Sequence, residues 1–205
     1  RVLAQTAGDA AFNALADRLF YEQLLIEPEN ATRLGLDKGT RAGLRSRLDD
    51  YSEAGKDASR AFYERALAAM RGVDAGGLSA AARLNRDVLV YKFEQDLVGE
   101  PFGLDDVENP YPITQQSGVY FSVPDFLDSQ HPVENADDAE AYLARLRAFA
   151  FALDDETARQ RREAGRGLIA PVWSIDLVLK QMRALRAPSP DQNAMVRSLA
   201  KRTSA

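Results

Sequence analysis

Between Ala139 and Leu153 the apolar residues Ala139, Tyr142, Leu143, Leu146, Phe149, Ala150 and Leu153 recur every three or four positions. A strand alternates with period two, so this run can bury a continuous stripe only by coiling into an α-helix. The same period returns along most of the chain, and no stretch alternates as a half-buried strand would. The expected architecture is all-α, a multi-helix array in one helical region over residues 1–205, with neither a linker nor a repeat of fixed period.

The periodicity predicts a first helix over Gly8 to Ile26, ended by Pro28, then short elements at Ala31–Leu36 and Arg41–Leu48. A second long helix is expected from Ala58 to Arg71, with Gly72, Gly76 and Gly77 forming the turn after it. Ser79 is a good cap for a third, ending near Val98. That helix carries two apolar rows, Leu84–Val88–Tyr91 and Leu89–Phe93–Leu97, whose combined width predicts a central, well-covered helix. Ser122-Val123-Pro124-Asp125 reads as a helix start bearing Phe126 and Leu127 and ending at His131-Pro132. Asn135 or Asp137 caps the next helix. Asp154 and Asp155 restart the chain in a charged helix that stops near Gly165 or Gly167. Pro171 opens a helix with Val172, Ile175, Leu179, Met182 and Leu185, and Ser189-Pro190 caps the last one.

Charge and composition narrow the function classes. Over 205 residues the formal net charge is -5 and the pI is about 5.1, which argues against nucleic acid or an anionic membrane as partner. Cysteine is absent, excluding disulfides, thiolate metal sites and a cysteine nucleophile. No apolar run approaches the ~18–20 residues of a transmembrane helix. The longest, Leu168 to Leu179, contains Asp176. The chain starts at Arg1 and not at Met, as after removal of a leader or trimming of the sequence, and the helical pattern reaches Ala205 without a clear stop signal, so the natural chain is expected to continue.

Most catalytic constellations fail on the residues present. Zinc hydrolysis through His-Glu-x-x-His needs two histidines one helical turn apart, and only His131 exists. Before Pro132, it reads as a turn residue or hydrogen-bonding partner. Ser117 lacks the Gly-x-Ser-x-Gly elbow of a serine hydrolase, and Gly35 to Gly39 lacks the Gly-Lys-Ser/Thr of a P-loop. Asp105, Asp106 and Glu108 lack calcium-loop spacing and read as a solvated acidic loop. Asp137, Asp138 and Glu140 suit a helix's first turn. Arg159, Arg161, Arg162 and Arg166 alternate with Glu156 and Glu163 as on a solvated face.

What remains is the stretch from Tyr111 to Pro132, whose turn formers, amides and aromatics break the helical pattern. Functional residues concentrate on such loops. Gln115 and Gln116 can pair with a peptide backbone through donor and acceptor alike, and Tyr111 and Tyr120 can wall an apolar site. The alternative is that the amides fasten the loop to its scaffold. Arg166, within Gly165-Arg166-Gly167, joins the substrate-binding candidates because that turn can wrap an anion. The competing reading is a plain helix end.

Several stretches together resemble the N-terminal part of a large bacterial family catalogued as domain of unknown function eight-eight-five. They are Pro28-Glu29-Asn30-Ala31-Thr32-Arg33-Leu34-Gly35, Leu78-Ser79 with Arg83-Leu84-Asn85, and Pro112-Ile113-Thr114-Gln115-Gln116-Ser117-Gly118. Pro124, Phe126-Leu127 and His131-Pro132 follow, then Asp138 to Leu146, Gly165-Arg166-Gly167, Pro171 and Gln181. The likeness covers most of the chain. Members of that family carry a His-Glu-x-x-His helix in a later half, which groups them with gluzincin-like zinc metallopeptidases. That helix is not in this sequence.

The resemblance implies one part of a larger helical metallopeptidase-like fold. The Tyr111–Tyr120 loop would face a cleft and help hold a peptide substrate, and the chain alone would not be catalytic. No cofactor is expected within these residues. Zinc, its ligands and the general base would come from a C-terminal part of the same protein, the expected partner. Members of the family often carry export signals, which implies a periplasmic or secreted location, with a cytoplasmic one as the alternative. The other functional class left open is a non-catalytic helical binding or scaffold module.

Overall fold

The computed structural model describes residues 7–104 and 110–204, so the acidic loop of Asp105, Asp106 and Glu108 lies outside the described residues. Eight α-helices are present among them: α1 (Ala7–Ile26), α2 (Pro28–Arg33), α3 (Glu53–Arg71), α4 (Ala80–Asp96), α5 (Val119–Ser129), α6 (Ala136–Gly165), α7 (Val172–Arg186) and α8 (Ala194–Thr203). Short 3-10 turns join them, and no strand occurs among the described residues, which makes the fold all-α. The chain divides into two compact units, residues 1–26 with 54–110, and residues 27–53 with 111–205.

The first unit packs α1, α3 and α4 around Phe12, Leu19, Phe62, Ala66, Leu67, Met70, Leu78, Ala82 and Phe93. Phe62 and Phe93 meet edge to face at 6.3 Å, the arrangement their ring quadrupoles favour. Ser79 caps α4 through its hydroxyl to Ala82 N, and its own N–H donates to the buried Asp9 carboxylate at 2.8 Å. Gly8 on α1 lies so close to Gly77 that a Cβ there would stand 2.4 Å from the Gly77 carbonyl oxygen.

Helix α4 corrects the expectation of a covered central helix. Leu84, Val88 and Tyr91 are 64%, 56% and 63% exposed, whereas Phe93 is 3% exposed and Leu89 and Leu97 pack against the core. The two rows are five residues apart, or roughly 140° around the helix. A helix packed on one side buries only one of them.

The second unit has its apolar core in Val119, Val123, Phe126 and Leu127 of α5, Tyr142, Phe149 and Ala152 of α6, Met195 of α8, and Leu48. Its helix limits differ from the sequence pattern in instructive ways. Pro28 opens α2, supplying the fixed φ of a first turn, and does not merely end α1. Helix α3 begins five residues before Ala58. Residues 154 and 155 do not interrupt α6, which runs for 30 residues; two acids without Pro or Gly leave the backbone hydrogen bonds intact. Helix α5 starts at Val119, with Pro124 inside it and not at its first turn. Ser189-Pro190 opens only a 3-10 turn, and Asn193 caps α8 by accepting from Met195 N at 3.0 Å.

Arg145 on α6 is fully buried beneath these elements. Its Nε donates to Arg47 O at 2.8 Å, and Nη2 donates to Thr32 Oγ1, Leu44 O and Pro28 O at 2.7, 3.1 and 3.3 Å. Its Nη1 lies 2.8 Å from His131 Nδ1, and the guanidinium carbon sits 4.7 Å above the Phe126 ring. A guanidinium always donates, so His131 Nδ1 accepts. His131 Nε2 therefore carries the proton and donates to Asp138 O at 2.9 Å. Beside this group, Arg45 joins Asp37 at 3.0 Å and also pairs with Asp138. Arg202 of α8 donates to the carbonyls of Leu127 and His131 at the end of α5, where a cation complements the helix dipole. Arg145→Leu would take one donor from each of three carbonyls and two side chains, although Leu44 O keeps Arg47 N and Pro28 O keeps the Thr32 hydroxyl. The expected loss is at least ~3 kcal/mol in urea unfolding; a loss below ~1 kcal/mol would contradict this account.

Two groups in this unit, the buried His131 and the half-buried Asp49, titrate in opposite senses. Burial lowers His131 to about 4, with repulsion from Arg145 and Arg202 adding to it. Burial raises Asp49 to about 7, helped by the neighbouring Glu29 carboxylate. As pH falls from about 6.5 to about 4, the unfolded chain takes up a proton at His131 that the folded chain refuses, so that contribution to stability is lost. Over nearly the same window, acidification favours the fold through Asp49, which keeps its proton when folded and sheds it above pH 3.8 when unfolded. The two slopes offset each other. Asp49→Asn removes one of them, so its urea midpoint should fall more steeply from pH 6.5 to pH 4 than that of the parent chain; parallel curves would refute the opposition.

Candidate functional site

The loop before α5 is shaped by its own short side chains. Thr114 and Ser117 exchange backbone hydrogen bonds at 3.2 and 3.4 Å, and their hydroxyls meet at 2.8 Å. Gln116 N donates to Thr114 Oγ1, which closes the turn. Gly118 follows with φ 107°, a conformation that disfavours any Cβ. A Cβ there would also lie 3.1 Å from Glu156 Oε2. This closeness is functional for the fold, because both oxygens of Glu156 on α6 accept from Val119 N at 2.9 Å. A carboxylate from another helix thus caps α5, satisfying an orphan donor and countering the positive end of the helix dipole.

The loop is fastened to α7 by side-chain amides and hydroxyls. Ser174 Oγ donates to Gln115 Oε1 at 2.6 Å, and Gln181 Nε2 donates to Gln115 O at 3.3 Å. The Tyr120 hydroxyl lies 2.8 Å from Thr114 O and 2.7 Å from Gln181 Oε1. Both of these are acceptors, so its single proton is shared between them. Burial, reinforced by Glu156, raises the Tyr120 pKa and keeps the phenol protonated as a donor.

The five candidates therefore occupy different settings. Gln115 is half-buried and tied to α7, Tyr120 is buried on α5, and Gln116 is exposed at the tip of the turn. Tyr111 is half-buried at the start of the loop. Arg166 lies at the end of α6, paired with Glu163 at 2.9 Å. The N–H groups of Arg166, Gly167 and Leu168 all donate to α6 carbonyls, forming a helix-ending turn.

The sequence pattern gives no role to Ser174, Gln160 or Gln181, and its solvated face does not hold for Glu156 and Glu163, which are buried, Glu156 beneath Val119 N and Glu163 beside Arg166. Ser174 and Gln181 are seven residues apart and so share one face of α7, an available signal. Glu156 carried no local signal, since its partner is 37 positions away.

Beside the tied loop is an apolar groove of about 240 Å³, lined by Ile113, Gln160, Ala170, Ile175, Val178, Leu179 and Met182. Nearby on the chain, Ile169, Val172, Trp173 and Leu177 are also exposed. A larger cavity of about 510 Å³ lies over Asp37, Arg45 and Asp138. There the charged groups already pair with one another, which leaves little for a ligand to gain.

Tyr120→Phe removes the shared phenol bond and should cost ~1 kcal/mol. Gly118→Ala forces a Cβ into a left-handed backbone against Glu156 and should cost more, ~2 kcal/mol. Thermal or urea unfolding checks the order; equal midpoints for parent and both variants would show the loop to be untied.

Over residues 28–205 the sequence matches the family described as "Bacterial protein of unknown function (DUF885)". Among solved structures, the "putative lipoprotein from Colwellia psychrerythraea" is similar, with a TM-score of 0.82 at 17% sequence identity. The alignment covers 97% of this chain and 35% of that one, so this chain spans about a third of its length. No curated protein matches the sequence.

Proposed function

Because this chain belongs to the bacterial protein family of unknown function DUF885, we propose that it is the N-terminal helical part of a zinc-dependent peptidase and forms one wall of its peptide-binding cleft. The observation that carries the reading is the loop of residues 111–118 bound to α7 beside an open apolar groove. Polar ties hold the wall rigid, while its apolar side is left for a ligand, the usual composition of a binding cleft. The resemblance to gluzincin-like proteins supplies the zinc in this reading.

Among the described residues no group of three or more His, Cys, Asp or Glu could hold a metal ion. Both ring nitrogens of His131 are engaged. The residues present do not fit a zinc site, so no step through the metal is assigned to them. Zinc, ligands and general base belong, in this reading, to sequence beyond these 205 residues. The neighbour described as a putative lipoprotein supports a periplasmic or secreted location, and no helix among the described residues is long and apolar enough to cross a membrane.

A second reading, a helical binding or scaffold module without catalysis, is favoured by the inward engagement of Gln115 and Tyr120. Turnover separates the two. In the longer protein, cleavage of a fluorogenic peptide library should stop with a zinc chelator and return with added zinc. Leu179→Arg, at a side chain 41% exposed, should raise KM by about tenfold or more by placing a charge in the groove, with Tm unchanged. Absence of cleavage, or cleavage indifferent to both chelator and Leu179→Arg, would sink the peptidase reading.

A further inference from the structure

Helix α4 carries a second apolar stripe on the side away from its core. Ala82 and Phe93 are buried, with Leu89, Val90 and Leu97 packed beside them. Ala81, Leu84, Val88, Tyr91 and Gln95 are all exposed, and they follow one another at steps of three, four, three and four. That is the a/d step of a heptad. A stripe confined to it is the narrow seam that one helix presents to another, not the wider face a helix turns toward a globular core. Val88 stands at an a position and Leu84 at a d position, as the β-branched and Leu residues of helix pairs do. Both edges are polar, with Asn85 and Lys92 on one and Asp87 and Glu94 on the other.

The length of the seam selects its occupant. It spans two heptads, about 21 Å of α-helix. A free-standing coiled coil needs about three to four heptads, and separate chains that associate stably bury ~800 Å² each. A strip this short and one helix wide falls short of both. A helix on the same chain needs far less, because its tether holds it at an effective concentration of about millimolar. The solved structure that shares this fold matches 97% of this chain with 35% of its own length, so about two thirds of that longer chain lies outside the match.

We infer that the seam of Ala81, Leu84, Val88, Tyr91 and Gln95 receives one amphipathic helix from the part of the longer protein beyond these 205 residues. The apolar a and d residues of that helix interlock with Leu84, Val88 and Tyr91. The inference rests on the reading of this chain as the N-terminal part of a longer protein, and it is independent of peptidase activity.

The test is alkylation of single cysteines by N-ethylmaleimide in the longer protein, read by peptide mass spectrometry, with each variant compared to itself unfolded in urea. Leu84→Cys, Val88→Cys and Tyr91→Cys stand in the seam. Ala81→Cys, the mildest change there, covers the case in which a larger substitution prevents docking. Arg83→Cys is the control, since Arg83 is exposed on the same helix but lies roughly 110° from the centre of the seam.

The seam cysteines should react at least about tenfold more slowly in the folded protein, because the reagent reaches them only on local opening. Arg83→Cys should stay within about threefold of its unfolded rate, and the protection should not change on dilution. Seam cysteines as reactive as Arg83→Cys would overturn the inference. Protection that extends to Arg83→Cys would overturn it too, since a broad surface and not one helix would then cover α4. Protection lost on dilution would replace the helix by a second copy of the protein. A longer protein that cuts no peptide but protects the seam would end the peptidase reading alone, whereas an active peptidase with a reactive seam would end this inference alone.

Discussion

A buried guanidinium organises the second unit. Arg145 reaches carbonyls of Pro28, Leu44 and Arg47, all about a hundred residues earlier in the chain, and joins them to His131 at the end of α5. Burying such a charge is unfavourable unless its donors are satisfied. Burial brings its pKa down to about 10, yet it stays protonated at neutral pH. The planar fork of five N–H groups suits several acceptors arranged around one plane, which a lysine ammonium could not serve. The acceptors lie on segments that meet only when the unit is complete. The Arg145 group is therefore a consequence of the whole packing as well as a cause of it. It also explains the lone histidine, held neutral between a donor and an acceptor and unavailable to metal or substrate.

The candidate site follows the same division of labour at a smaller scale. Short polar side chains shape the turn from Thr114 to Ser117, Glu156 caps the helix after it, and Gln115, Tyr120, Ser174 and Gln181 bind it to α7. Once these groups are engaged with one another, the surface left open is aliphatic.

Much of the fold was legible in residue order. Helix period, the caps Ser79 and Asn135, and the stops after α1 and α6 are local effects, carried by neighbours within one or two turns. The extents of α4 burial and of α5 were not. Periodicity shows that Leu84, Val88 and Tyr91 share a face, but not whether a partner covers that face. The start of α5 is set by Gly118 and a distant carboxylate, against a proline and serine that imitate a start three residues later. The amides and tyrosines of the loop were visible as chemical types, but either role suits those types, and only their neighbours decide between them.

By itself, then, the sequence determined an all-α chain and placed a turn-rich interruption within residues 111–132, of which the structure leaves 111–118 as loop before α5, because period, capping and turn chemistry are short-range properties of the backbone. The tertiary structure alone decided that Arg145 is interior, that Glu156 caps α5, that Gln115 and Tyr120 turn toward α7, and that Gln160 faces an apolar groove. Each of those outcomes depends on partners distant in sequence, and the free energy of a buried polar group is set by what surrounds it.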